Sequence, residues 1–267
     1  MKTRSLASAM AVALLVVPAI GEATAEEEER PVGLDVDIEI ASAFVFRGLN
    51  QFGDRQNDQR AAVFPSITVS AGPVSGGYWG AYQLSGGNAL RKVNEGFGAE
   101  NDLWVSYEGS RGKLGYVASL TYYVFPFADE ASAGAATPMY LEPGVGVSYE
   151  AAVEAGFNVY YFRGLQDATL GLSYIYINPT VTRSIRLTGS TELTLGGSSG
   201  YKLWTNDPQA EDNTFDVQLD AGLNILFGTA HIAPAVHVAW TNLADLGFGD
   251  MFVVWVGVQL GGSAPEL

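Results

Sequence analysis

Few residue types in this 267-residue chain could do covalent chemistry. His231 and His237 are its two imidazoles, and it has no cysteine. Without thiols, disulfide scaffolds, thiolate zinc sites and iron–sulfur clusters are excluded. The two histidines share one face of an extended segment, but six positions set them about 20 Å apart, too far to hold one metal ion. A phospholipase-like mechanism would need a Ser–His pair on an outer, lipid-facing surface. The alternation around His231 and His237 turns both of them inward instead. No catalytic residue, cofactor or metal site is assigned, and the chain is expected not to be an enzyme.

Carboxylates are the more abundant groups: 29 Asp and Glu face 14 Lys and Arg, for a formal charge of −15. Phosphate backbones are bound by Lys and Arg, so no nucleic-acid partner is expected. The acids have a pattern. Asp35, Asp37 and Glu39 alternate with Val36, Ile38 and Ile40, which is the period of a strand with one polar and one apolar face.

Twelve segments of this kind are predicted, at 34–48, 61–71, 77–85, 101–109, 113–125, 139–149, 153–162, 169–177, 184–195, 214–227, 230–241 and 251–260. Soluble strands average roughly 5–6 residues, whereas a tilted strand crossing a bilayer needs about 9–11. The connections alternate as well. Those at 49–60, 86–100, 126–138, 196–213 and 242–250 are long, and those at 72–76, 110–112, 150–152 and 228–229 are short. The pair 163–168 and 178–183 breaks the rule, being alike in length. Long loops at one end and short turns at the other are the plan of an outer-membrane barrel.

Outward aromatics form two belts on this reading, as amphipathic rings prefer the headgroup level. Phe44, Phe46, Tyr122, Tyr161, Phe215, Trp240 and Phe252 fall at the long-loop end. Tyr78, Tyr107, Tyr116, Tyr149, Tyr174, Tyr176 and Phe227 fall at the short-turn end. A soluble sandwich also alternates, but nothing in it demands two belts. The expected fold is all-β, a closed antiparallel transmembrane β-barrel of about 12 strands. Pro65, Pro143 and Pro234 fall inside strands and each forfeits a ladder hydrogen bond, which calls for bulges or shifted boundaries there.

The N-terminus is of another kind. Met1-Lys2-Thr3-Arg4 is basic, Leu6 to Ile20 is uncharged and mostly apolar, and Ala23-Thr24-Ala25 has the small-x-small pattern of a signal-peptidase site. Residues 1–25 read as a secretory signal peptide cleaved after Ala25. Residues 26–33 follow as an acidic tail, 34–260 as the barrel, and 261–267 as a C-terminal tail without the terminal aromatic on which outer-membrane barrels typically close.

With apolar positions turned to lipid, the polar complement lines a lumen. Its candidate residues are Asp37, Glu39, Arg47, Trp79, Asp102, Trp104, Glu142, Arg186, Asp216, Asp220, His231 and His237. Reversing any strand would turn charges to hydrocarbon at roughly 2.5–3.5 kcal/mol each near the midplane. The carboxylates read either as a solvated wall, salt-bridged to Arg47 or Arg186, or as a filter favouring cations and neutral polar solutes.

Ser42-Ala43-Phe44-Val45-Phe46-Arg47-Gly48-Leu49-Asn50-Gln51 resembles the TorF-like porin family of proteobacteria, in which an aromatic-x-Phe-Arg-Gly-x-x-Gln segment ends the first strand. On that resemblance Phe44, Phe46, Arg47, Gly48 and Gln51 are the motif positions, and an outer-membrane barrel with a transport role is implied. The hexapeptide 44–49 is echoed by Tyr160-Tyr161-Phe162-Arg163-Gly164-Leu165, but parity turns Arg47 inward and Arg163 outward.

The expected function is a narrow, acidic outer-membrane channel for small polar solutes or cations. Its partners would be outer-membrane lipid, those solutes and the barrel-assembly machinery. A non-conducting adaptor barrel and a lipid-modifying enzyme are the alternatives. No lipid-facing surface stands out as a subunit interface, so the oligomeric state is not read from the sequence. Nor does the sequence decide whether a loop, such as 196–213 with Tyr201 and Trp204, plugs the lumen.

Overall fold

A computed structural model describes residues 32–52, 59–85, 100–125, 139–165, 173–205, 214–242 and 252–264. Residues 1–25, expected to be a signal peptide, lie outside them, as do 26–31 and 265–267; the expected tail residues 32–33 and 261–263 belong instead to the first and last strands. The strands are β1 (Val32–Ala41), β2 (Val45–Phe46), β3 (Leu49–Asn50), β4 (Ala62–Ala71), β5 (Val74–Gln83), β6 (Glu100–Arg111) and β7 (Leu114–Val124). They continue as β8 (Met139–Glu150), β9 (Glu154–Gly164), β10 (Tyr174–Arg186), β11 (Thr191–Trp204), β12 (Thr214–Phe227), β13 (Ala230–Thr241) and β14 (Phe252–Ser263). Twelve of them, all but β2 and β3, form a closed antiparallel barrel in which β1 pairs with both β4 and β14.

Alternation fixes which side of each strand meets lipid. Val36, Ile38 and Ile40 of β1, Leu219 of β12, and Val254, Val256 and Val258 of β14 are exposed on the outer face. The inner positions between them are polar, small or aromatic. Such an exterior is stable only against hydrocarbon, and closure leaves no unpaired strand edge within it. We predict that Leu219→Arg, near mid-height on β12, costs about 2–4 kcal/mol of folding into liposomes. Gln218→Arg, one residue away but facing inward, should cost little by the same urea titration.

Connections between barrel strands alternate without exception: 72–73, 112–113, 151–153, 187–190 and 228–229 at one end are shorter than every connection at the other. The irregularity expected near 163–183 arose from misplaced boundaries. Residues 178–183 are not a turn but the middle of β10, and 196–204 are not a loop but the end of β11. Gly196-Gly197-Ser198-Ser199-Gly200 has loop composition, yet it belongs to the wall. On the outer face Leu219 and Val181 flank Gly197, and on the inner face the Tyr176 ring lies over Gly200, where a Cβ would collide with it.

Neither bulges nor shifted boundaries absorb the strand prolines. The β4–β5 ladder steps from Val63–Tyr82 to Ser66–Trp79 past Pro65 with no change of register. The same two-rung gap in one of the two ladders accompanies Pro143, Pro234 and Pro179. The other ladder of each proline is kept, for instance Pro179–Phe157. At Pro179, which has no N–H to offer, the Ser199 carbonyl accepts from Asn178 Nδ2 at 2.8 Å, so this partly buried acceptor is satisfied.

The largest correction concerns the first strand. It does not run to residue 48 but leaves the wall after Ala41 and turns inward. Ser42 N–H donates to the Val256 carbonyl at 2.9 Å, and Val256 N–H donates to Ser42 Oγ at 3.2 Å. On the chain's return, Gln59 Nε2 donates to the Val254 carbonyl at 2.5 Å. These contacts cover the part of β14 that β1 no longer reaches. Phe44 and Phe46, expected in the outer belt, therefore lie inside, Phe44 buried and Phe46 packed beside Tyr123. Tyr174 and Tyr176, also expected outside, are buried within the barrel. Tyr78, placed at the short-turn end, directs its hydroxyl toward Tyr82 and Asn101 at the other end.

Candidate functional site at the inward hairpin

Between the first two wall strands, β2 and β3 form a hairpin inside the barrel, with Val45 paired to Asn50 and Phe46 to Leu49. Its turn residues, Arg47 (φ 50°) and Gly48 (φ 79°), both have left-handed backbones, as a two-residue type I′ turn requires. Gly48 is also sterically obligatory. A Cβ there would lie 2.5 Å from Asp216 Cβ and 3.2 Å from Thr241 Cβ, so the hairpin tip rests on β12 and β13.

Arg47 spans from this turn to the opposite wall. Its Nη2 donates to Glu142 Oε2 at 2.6 Å and its Nη1 to Tyr174 Oη at 2.8 Å. The two charged side chains are only 7% and 4% exposed. The guanidinium lies over five rings: Tyr176 at 4.3 Å, Phe46 at 4.7 Å, Tyr174 at 5.4 Å, Tyr160 at 5.5 Å and Phe162 at 5.9 Å. Glu142 Oε1 accepts from the Tyr123 hydroxyl at 3.0 Å, and Asp216 Oδ1 accepts from the Tyr176 hydroxyl at 2.9 Å. Lys202 Nζ donates to the Arg47 carbonyl at 3.3 Å. Buried charge is tolerable only when paired and hydrogen-bonded, and here the bonds of Tyr174, Tyr123 and Tyr176 also hold aromatic faces in place.

On its other flank the hairpin joins an apolar cluster of Phe44, Phe52, Phe64, Val253 and Trp255, with Trp79 packed against it. Phe44 is 5.3 Å from Phe52 and 5.4 Å from Phe64, and Phe64 stacks on Trp79. The long-loop half of the barrel is thus filled at hairpin level. Toward the short turns the inner face opens, as β4 illustrates: Ala62 and Phe64 are buried, while Ser66, Thr68 and Ser70 are partly exposed. A cavity of about 310 Å³ lies along the inner wall there, lined by Glu108, Gly115, Ser148, Glu154, Asn158 and Thr180 among others.

The candidate residues from the sequence divide into three groups. Arg47, Trp79, Asp102, Glu142 and Asp216 gather at the hairpin. Asp37, Glu39, Asp220, His231 and His237 lie lower. There His231 Nε2 is 3.2 Å from Asp37 Oδ1, His237 Nδ1 is 2.5 Å from Asp220 Oδ1, and His237 stacks on Trp255 at 4.8 Å. Trp104 is half-buried on β6 beside Gly77, and Arg186 is exposed at the short-turn end of β10 opposite Glu192. Of the motif positions not yet placed, Gln51 closes the hairpin, its N–H donating to the Phe44 carbonyl at 2.7 Å.

Sequence reading missed Glu100 and Lys202, both buried, because it put each in a loop. It also missed that Tyr174 and Tyr176 serve the site; their spacing of two was visible, but not which face they take. Gly196-Gly197-Ser198-Ser199-Gly200 has nucleophile-elbow spacing but lies within a continuous strand, not on the sharp strand-to-helix turn that exposes a serine. Among the described residues no group of His, Asp or Glu is arranged to hold a metal ion.

The sequence matches no family model and no curated protein. Solved structures are more informative. An outer membrane channel from Pseudomonas putida F1 superposes with a TM-score of 0.51 at 6% identity, over 91% of this chain and 100% of the channel. The fold is that of an outer-membrane barrel. A KdgM porin in complex with disordered oligogalacturonate overlaps with a TM-score of 0.48 at 8% identity, over 88% of this chain and 99% of the porin. That overlap is too slight to add to the argument.

Proposed function

We propose that the protein is an outer-membrane channel for small polar solutes, favouring cations, with its constriction at the inward hairpin. The observation that carries this reading is the charge inside the filled half. Among the described residues Glu100, Asp102, Glu142 and Asp216 are buried there against Arg47, Arg60 and Lys202. Among the described residues Asp102 Oδ1 is buried with no hydrogen-bond partner, which leaves carboxylate acceptor capacity unused at the constriction. Toward the short turns Asp37, Glu39, Glu108, Glu154 and Asp220 continue the acidic wall, and carboxylates on a low-dielectric wall concentrate cations and repel anions. The resemblance of residues 44–51 to TorF-like porins supports the same reading, with export through a signal peptide ending near Ala25 and assembly by the outer-membrane machinery.

The test is planar-bilayer recording of the refolded protein across a KCl gradient. Discrete conductance steps with a reversal potential of the sign for potassium are expected, and Glu100→Gln with Asp102→Asn should move it toward zero. Anion selectivity would overturn the role given to the carboxylates. Silence from a folded barrel would favour the non-conducting adaptor, since the hairpin already fills one half of the lumen.

A further inference from the structure

The cage around Arg47 belongs mostly to the wall, not to the hairpin. Glu142 comes from β8, Tyr160 and Phe162 from β9, and Tyr174 and Tyr176 from β10. Four aromatic faces, a carboxylate and a phenol oxygen converge on one planar cation. Aromatic faces attract cations through the ring quadrupole, most strongly where water is excluded, and the guanidinium fork matches a carboxylate better than a compact ammonium does.

The wall is shaped to hold its rings flat. A Cβ at Gly144 would come 2.6 Å from the Tyr160 ring, and one at Gly200 would collide with Tyr176. The occupant, by contrast, is presented from a strained position: Arg47 is the single non-glycine residue with positive φ among those described. A left-handed non-glycine backbone is strained and persists where the surroundings impose it. A latch would need only the Glu142 bond. The four wall rings add recognition of the cation itself.

We propose that this cage is a binding site for organic cations with a guanidinium head, and that Arg47 is its built-in occupant, which an incoming solute displaces. The inference rests on the cation-channel reading and names its solute class. Displacement frees the hairpin tip, so solute entry and widening of the constriction are one event. The wild-type protein binds such a solute more weakly than a protein lacking Arg47, because part of the solute's affinity is spent expelling the arginine.

The experiment uses full-length Arg47→Ala, refolded in detergent, with methylguanidinium as probe and neutral N-methylurea as its planar control. Tyrosine and tryptophan fluorescence reports binding. Saturable methylguanidinium binding is expected, about tenfold or more tighter than N-methylurea and tighter than in the wild type, as one or two desolvated cation–π contacts imply. Adding Tyr176→Leu to Arg47→Ala should remove most of that preference. Equal binding of the two probes, or none by a folded variant, would overturn the proposal; Arg47→Gln serves the same test if the alanine variant does not fold. Conduction is not needed for this readout. A barrel that binds methylguanidinium but passes no ions keeps the site and loses the channel, and a cation-selective barrel that does not bind it does the reverse.

Discussion

Replacing Glu142 by leucine should cost about 3–5 kcal/mol of folding stability, the penalty for stranding one member of a buried ion pair. Arg47 and Glu142 are nearly inaccessible to water, so the arginine cannot recover hydration where it lies. Its remaining acceptor is the Tyr174 hydroxyl at 2.8 Å, a neutral group. Tyr123 would lose its own acceptor in the same substitution. The urea midpoint of the heat-modifiable folded form measures the loss, and a change under about 1 kcal/mol would show that the pair does not hold the hairpin. Arg47→Met combined with Glu142→Leu should recover much of the stability, because two apolar side chains remove the unpaired charge altogether.

Gly48→Val should unseat the hairpin while leaving the barrel formed. The new Cβ would need space held by Asp216 Cβ and Thr241 Cβ, atoms fixed to wall strands that cannot retreat. The left-handed backbone at φ 79° adds its own penalty for a branched side chain. Together, left-handed strain and overpacking amount to about 2–5 kcal/mol against the seated hairpin. None of that cost falls on the twelve-strand ladder, in which β2 and β3 take no part. Heat-modifiable mobility should therefore persist, and single-channel recording should show a larger unit conductance than the wild type. Unchanged conductance in a folded variant would mean that the hairpin does not set the constriction.

The strand count, the alternation of long and short connections, and the side facing lipid were legible because they follow from period two and from the cost of charge in hydrocarbon. A strand such as Thr214–Phe227 can turn Phe215, Val217 and Leu219 outward and Asp216, Gln218 and Asp220 inward, but not the reverse. Legibility failed where composition and position disagree. Ser and Gly at 196–200 read as a loop, yet a barrel wall accepts them where large neighbours cover them. Tyr174 and Tyr176 read as a membrane belt, yet they are buried inside as the faces of the Arg47 cage.

By itself, then, the sequence determined a closed membrane barrel with an acidic interior, because every rung of an alternating strand repeats the same choice between lipid and lumen. Only the tertiary structure decided that residues 42–52 leave the wall, since Phe44 and Phe46 resume the apolar parity of Val36, Ile38 and Ile40 after the single Ser42, and that apolar face fits either environment. The choice is made by partners far away in the chain: Glu142, Tyr174 and Tyr176 around the arginine, and Asp216 and Thr241 beneath the glycine. Local periodicity carries no record of such partners, because they meet only when the barrel has closed.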